Sequence, residues 1–592
     1  MKVKTVNIFE KFINLIRDKT NEKQFLIFSS VLVGFSTGLA AVVLKLVVNI
    51  IRTYLVEGYF FKFHFKYIYL ALPLIGIGLT VIIVKYFFKG QLNRGTSVIL
   101  YSIAKKSSFL PFYQMYSHIF TSALTVGFGG SAGLESPIVN TGAAIGSNFA
   151  KTYKLNYKDR TLLLAAGAAG GIAGAFNAPI AGVLFALEVI LVDITISAFI
   201  PLLIAAAFGA LTSNILLQES NLLFFKLQAP FDYHNTPFYV LLGLLAGFVS
   251  LYYTIIFEKI ETSLSKINSI YIKWIIGGFC LALLFAFFPS LYGEGYESIK
   301  ALANLNTAEL FNNSLLQKFL SDKWLILLFI TIAMLLKSIA AGITLGSGGN
   351  GGNFAPSLFV GAYLGFVFAF FLHLIGIKNV PISNYTIVAM AGILSGVFHA
   401  PLTGIFLIAE ITGGYELIIP LMLVSSISYV VVRYFHPESL DVRKLKEKGT
   451  IVSDNKDKSA LSKLHINTLI ESDFTPIHFK ATLREVVEAI KICKRNIFPV
   501  VKKNGKLLGV IYLDNIKEEM FNADLYDVVI AKELMVKPNT VVNESDDIFI
   551  IMKKFEESGQ WNLPVVNDGI YLGFLSKSTI LDTYRSKILA SV

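Results

Sequence analysis

One carboxylate, Glu135, stands among small and apolar residues in the stretch GFGGSAGLESPIVNTGAAIG (Gly127–Gly146). Six glycines in twenty positions let backbone approach whatever Glu135 faces. Pro137, two residues on, suits the first turn of a helix, where its missing N–H would be unpaired anyway, so Glu135 sits at or just before a helix N-terminus. Free N–H groups and the positive end of the helix dipole converge there. In apolar surroundings that spot takes either an anion or the Glu135 carboxylate itself, and the two compete.

The arrangement recurs. At an offset of 219 residues PIVNTGAAIG lies over PSLFVGAYLG, with Pro137/Pro356, Gly142/Gly361, Ala143/Ala362 and Gly146/Gly365 identical; Gly133 falls over Gly352 and Glu135 over Phe354. At an offset of 222, AGGIAGAFNAPIAGVLFALE (Ala169–Glu188) matches AGILSGVFHAPLTGIFLIAE (Ala391–Glu410). Two such matches in register imply two diverged copies of one unit, and a site between them, where helix ends meet, is the expectation for a transporter built from repeats.

The elements that must position these residues are membrane helices. Of the 592 residues 54% are hydrophobic and only 16% charged, far from a soluble average. Apolar segments able to span or enter a bilayer occur around 25–51, 67–88, 162–192, 196–217, 237–257, 271–290, 324–343, 354–377, 385–411 and 415–432. The shorter 116–126 and 137–150 read as broken or re-entrant helices around an internal site.

Charge divides the chain. Of its 52 basic and 40 acidic side chains, residues 441–592 hold 23 and 21, so a soluble domain begins near 441 and the net positive charge belongs mainly to the membrane part. That distribution fits basic cytoplasmic loops rather than a nucleic-acid patch. Residues 1–24 read as a basic cytoplasmic segment without a cleaved leader. Membrane lipid is the partner, nucleic acid is not, and both termini are expected in the cytoplasm with the chain crossing the plasma (inner) membrane several times. Cys280 and Cys493 offer neither a disulfide framework nor a thiolate metal site, and His399, opposite Asn177 in the repeat, reads as a packing residue; no metal site is expected. Glu188 and Glu410, at equivalent places in the two copies, read as helix-capping acids.

After residue 441 the pattern turns to short pieces. Ala481–Cys493 has helical periodicity, Ile497–Val501 and Leu507–Leu513 are strands about an NGK turn, and IKEEM returns to helix. Ser545–Glu557 (helix), Leu563–Val566 and Tyr571–Ser576 (strands about Asp568-Gly569) and Ser578–Tyr584 (helix) repeat the order. This is a tandem pair of β-α-β-β-α modules, each too small to bury a large core alone.

These residues together resemble the CLC family of chloride channels and chloride/proton antiporters with a C-terminal CBS-domain pair. GLESP (Gly133–Pro137) looks like the family's G-x-E-x-P gating motif, and GSGGNGGNFAPSLFVGAYLG (Gly346–Gly365) is close to its second anion-binding segment. The resemblance implies a polytopic α-helical membrane protein of two inverted repeats (about 25–217 and 237–440 within a domain 25–440), a cytoplasmic α/β CBS pair at 441–592, and a homodimer with one chloride pathway per subunit. It implies Glu135 as the gating carboxylate. The anion would lie among Gly133, Leu134, Glu135, Ser136, Gly352, Asn353, Phe354 and Ala355, held by backbone N–H groups that bind weakly enough to release it.

Three departures bear on mechanism. The family's first motif appears only as Gly95-Thr96-Ser97-Val98, leaving Thr96 and Ser97 as inner hydroxyls. Asp441 stands where the family has a tyrosine and is given no ligand role, because an acid repels the anion unless protonated or turned away. Val189 replaces the internal glutamate of many antiporters, and an apolar side chain relays no proton. The expected function is therefore passive chloride conduction gated by Glu135, with chloride/proton antiport as the alternative and a fluoride transporter or nucleotide-sensing receptor behind it. No enzyme is expected: Walker-type loop, HExxH, and a GxSxG elbow in a strand-turn-helix context are all missing. No cofactor is expected, although an adenine nucleotide is a candidate ligand of the CBS pair; its pattern is half met in each module, with Asn515 and Ser576 as the contacts.

Overall fold

The helices Tyr157–Phe176 and Ile382–Phe398 both end in a left-handed residue, Asn177 and His399, each with φ 56°, and each is followed at once by Ala-Pro and a new helix. The apolar runs 162–192 and 385–411 are therefore each broken into two helices, at a polar residue and the proline that opens the next helix. The computed structural model describes residues 8–53, 68–90, 92, 94–191, 196–218, 223, 229–312, 314–319, 322–447, 464 and 466–591.

The repeat extends beyond the matched motifs. Gln114–Gly127 corresponds to Lys323–Gly346, Glu135–Thr152 to Phe354–Leu374, Pro179–Phe185 to Pro401–Thr412, and Ile196–Leu217 to Ile418–Phe435, at the offsets found in the sequence. Neighbours are conserved too: Glu22–Ile50 packs on Tyr157–Phe176 and Ile196–Leu217, as Thr236–Ser265 packs on Ile382–Phe398 and Ile418–Phe435. The identical glycines explain the close approach. A Cβ on Gly142 would lie 2.2 Å from the carbonyl oxygen of Gly167, and on Gly365 2.0 Å from that of Tyr385, so in both copies two helix backbones touch where a side chain cannot fit.

Among the described residues seven helices are long and apolar enough to cross a membrane. Hydropathy does not sort them by depth. Phe354–Leu374 and Ile270–Phe287 have mean hydropathies of 2.0 and 2.1, yet the first is 72% buried inside protein and the second 22%. The first lies in the interior of the unit, the second at its surface. Glu135–Thr152 and Gln114–Gly127, at 18 and 14 residues, start and stop inside the unit, as the short runs suggested.

The chain divides into two compact units, Met1–Val452 and Ser453–Val592. The expected boundary at 441 moves because Leu440–Glu447, though highly charged, packs against Ser97–Lys105 and Ile382–Phe398 of the first unit. Of the basic N-terminal segment, Ile8–Lys19 is helix, and residues 1–7 lie outside the described set.

The second unit holds two three-stranded sheets of one design. In each, a two-residue strand (Ile477–His478; Val542–Asn543) pairs parallel with the first arm of a hairpin (Ile497–Val501 with Leu507–Tyr512; Asn562–Asn567 with Ile570–Ser576). The crossover helices are Leu483–Ile492 and Ile548–Ser558. Asp568 and Gly569, both at positive φ, make the tight turn expected of Asp-Gly. The second module closes with Lys577–Ser591, whereas the first closes only in 3-10 turns, Leu513–Ile516 and Glu519–Phe521, where IKEEM was expected to be helical. Lys-Glu-Glu-Met carries one apolar residue in four, too little to hold an α-turn on the sheet.

Candidate functional site

Two loops, one from each repeat, are tied to each other by reciprocal bonds. Gly133 N–H donates to Gly352 O at 2.9 Å and Gly352 N–H to Gly133 O at 2.8 Å, joining the two glycines that the sequence repeat superposes. Ser131 N–H donates to Thr344 Oγ1 at 3.1 Å, and its repeat-mate Asn350 N–H to Thr125 Oγ1 at 2.9 Å. The helices that follow, Glu135–Thr152 and Phe354–Leu374, thus begin side by side. Neither N-cap residue, Leu134 or Asn353, supplies a side-chain cap. The N–H groups of two first turns, with their dipoles, are left for a shared negative charge.

That charge is Glu135. Its carboxylate is buried, Oε1 accepts from the Tyr296 hydroxyl at 2.5 Å, and the group faces the backbone N–H of Ala355 across the repeat boundary. Oε2 lies against Gly133, 1.9 Å from where a Cβ would stand, and among the described residues completes no hydrogen bond of its own. Tyr296 opens the short helix Tyr296–Ala303 and is aimed by Gly295, at φ 95° and against the Phe359 ring. Sequence reasoning missed it. The usable signal was Gly293-Glu294-Gly295-Tyr296, a glycine-framed acid and tyrosine between apolar helices.

A cavity of about 90 Å³ opens from Glu135, with room for several water molecules. Thr96, Ser136, Gly352, Asn353 and Phe354 line it, as the motifs suggested. Gly133, Leu134 and Ala355 belong to the same two turns without entering its wall, and Ser97 is buried at the start of Ser97–Lys105. An aromatic collar completes it: the Phe354 ring lies 5.6 Å from Phe176, 6.2 Å from Phe185 and 5.1 Å from Phe398. Arg94, Glu261, Asp441 and Lys444 also line it, a charged group the sequence did not assemble.

Glu188 and Glu410 are exchanged caps. Glu188 accepts from the N–H groups of Leu402 and Thr403 at 3.0 and 2.8 Å and from Thr403 Oγ1 at 2.7 Å; Glu410 accepts from Ile180 and Ala181 N–H at 3.1 and 2.8 Å. Each acid satisfies the helix start of the other repeat, as expected of capping acids. Val189, next to Glu188, lies in a π-helical turn, Ala186–Ile190, and packs half-buried on the apolar core. In the second unit Asn515 is exposed on Leu513–Ile516, and Ser576 is buried with its Oγ 2.7 Å from Ser578 Oγ.

Comparison with known proteins places this geometry. The family model described as voltage gated chloride channel matches residues 75–433, and the CBS domain model matches 466–522 and 531–586. The voltage-gated ClC-type chloride channel ClcB of Escherichia coli is 28% identical over 324 residues, 54% of this chain and 72% of that protein. The structure of a slow cyanobacterial Cl−/H+ antiporter superposes with a TM-score of 0.62 at 21% identity, over 72% of this chain and all but 2% of the other (98% covered). That of a eukaryotic CLC transporter superposes at 0.61 and 17% identity over 96% of this chain and 98% of its own.

Proposed function

Because this chain belongs to the voltage-gated chloride channel (CLC) family of multi-pass membrane proteins that transport anions, here with a C-terminal CBS pair, we propose that it exchanges chloride for protons at Glu135. One observation carries the reading. The Glu135 carboxylate occupies the place where two helix N-termini offer their N–H groups, so an anion enters only when that carboxylate is protonated or displaced. Competition of a proton-binding group and an anion for one position is the minimum coupling an exchanger needs. The backbone N–H groups of Leu134, Glu135, Asn353 and Phe354 then hold the anion without a buried cation, which favours release. A solved neighbour titled as a Cl−/H+ antiporter agrees with this reading.

Passive conduction is the second reading, and Val189 favours it: an apolar side chain cannot take a proton from the inner side. The relative called a chloride channel points the same way. Reconstitution separates the two. An imposed chloride gradient drives protons against their own gradient through an exchanger, and through a channel it does not. The homodimer, the plasma-membrane location with cytoplasmic termini, and an adenine nucleotide at Asn515 and Ser576 are parts of the same proposal. A basic N-terminal segment and a polar C-terminal unit support the orientation.

A further inference from the structure

The cavity lined by Glu135 is lined by two further carboxylates, Glu261, which is paired with Lys444, and Asp441. We propose that Asp441 is the inner proton acceptor of this transporter, and that its charge sets how readily chloride reaches the site from that side. The proposal rests on the exchange reading and supplies the step that Val189 leaves open.

Asp441 lies in the first turn of Leu440–Glu447, half-buried, with its Oδ1 3.8 Å from the Cβ position of Gly95 and its carboxylate facing the Ser97 backbone N–H. It therefore stands beside Thr96 and Ser97, in the wall of the same cavity. The surrounding charges are named in full by the packing. On its own helix, Lys444 is held by Glu261 Oε2 at 2.6 Å and Arg443 by Glu258 at 3.3 Å. Arg94, before Ser97–Lys105, donates to the carbonyls of Gly348 and Leu345 at 2.7 and 3.4 Å. His436 Nδ1 lies 3.1 Å from Arg443, and His399, after Ile382–Phe398, packs edge-on against Tyr429. The cations of the mouth are thus engaged by carboxylates or carbonyls, and Asp441 is the acid placed on the path.

The consequence is a two-carboxylate route. A hydronium on the inner side gives its proton to Asp441, and chloride leaves the site past the neutral acid toward that side. Asp441 then returns the proton to cavity water, which passes it to Glu135 Oε2, the oxygen that completes no hydrogen bond among the described residues, and Asp441 is again an anion. One proton enters and one arrives, with no other co-reactant.

The test uses full-length protein in liposomes, with chloride efflux measured between pH 4.5 and 8. In an E135Q background Glu135 no longer titrates, so the remaining pH dependence belongs to the other carboxylates near the site, Asp441, Glu261 and Glu294, and D441N isolates the share of Asp441. The proposal expects E135Q efflux to fall by about tenfold as pH rises, the scale of one unit charge near a pore, E135Q/D441N to lose most of that slope, and E135Q/D441E to recover it. A flat E135Q profile, which needs no second substitution, overturns the assignment, and so does an E135Q/D441N slope equal to that of E135Q. Wild-type proton uptake under a chloride gradient is read in parallel. If it is absent while the slope behaves as stated, exchange fails and with it the proton-acceptor role, leaving only the effect of the Asp441 charge on chloride; if it is present while the slope ignores Asp441, exchange stands and Asp441 is overturned.

Discussion

Tyr296 gives its hydroxyl hydrogen to Glu135 Oε1 at 2.5 Å, joining residues 161 apart in the chain. The bond holds the carboxylate in the position an anion must take. A hydrogen bond to a charged group is worth about 1.5–3 kcal/mol, so Y296F should raise chloride efflux at pH 7.5 by roughly tenfold to hundredfold. Equal wild-type and Y296F rates would remove Tyr296 from the site.

Neutralising the carboxylate goes further. E135Q should reduce the pH dependence to the shallower slope that Asp441 sets while preserving or raising flux, because an amide does not compete with an anion for helix N-termini. The sign is fixed: in wild type, flux rises as pH falls and Glu135 is protonated. An E135Q profile with the wild-type slope would contradict the gate.

The glycines that join the repeats predict opposite outcomes. A Cβ on Gly133 meets chiefly the end of the Glu135 side chain, which can swing away, and touches the Ala355 Cβ at 3.0 Å, which needs a small backbone shift, so G133A should fold and show faster, less pH-dependent flux. A Cβ on Gly352 would lie 2.7 Å from Ser136 Cβ and 3.0 Å from its backbone N, which cannot yield, so G352A should lose transport and the monodisperse elution of folded protein. Size-exclusion chromatography with efflux on the same preparations checks both.

The exchanged caps are structural. E188A leaves two N–H groups of the Pro401–Thr412 helix unpaired and should destabilise the membrane unit by about 1–3 kcal/mol, read as a lower thermal midpoint in detergent. E188Q keeps an acceptor oxygen and should lose less. E410A should behave like E188A, since it uncaps Ile180 and Ala181 in the same way.

Most of this site was legible because its chemistry is local. Glu135, Ser136, Gly352, Asn353 and Phe354 sit in two glycine-rich motifs whose prolines mark helix starts, and the 219-residue offset placed Gly133 over Gly352 before their hydrogen bonds were known. Tyr296 and the Arg94–Glu261–Asp441–Lys444 group were not legible. They come from separate helices and loops whose hydropathy says only membrane, and their meeting depends on packing that no spacing encodes. The breaks inside the runs 162–192 and 385–411 are marked by one polar residue each, Asn177 and His399, and the Ala-Pro that follows, because in lipid both halves of a broken helix stay apolar.

The account stands on proton coupling, and wild-type protein measures it directly. Liposomes loaded with chloride at equal inner and outer pH, diluted into low chloride with the membrane potential clamped, are followed with an external pH electrode. Exchange at Glu135 predicts proton uptake into the vesicles, driven by chloride leaving and lost in E135Q. Chloride efflux with no proton uptake, and a reversal potential at that of chloride alone, would contradict it.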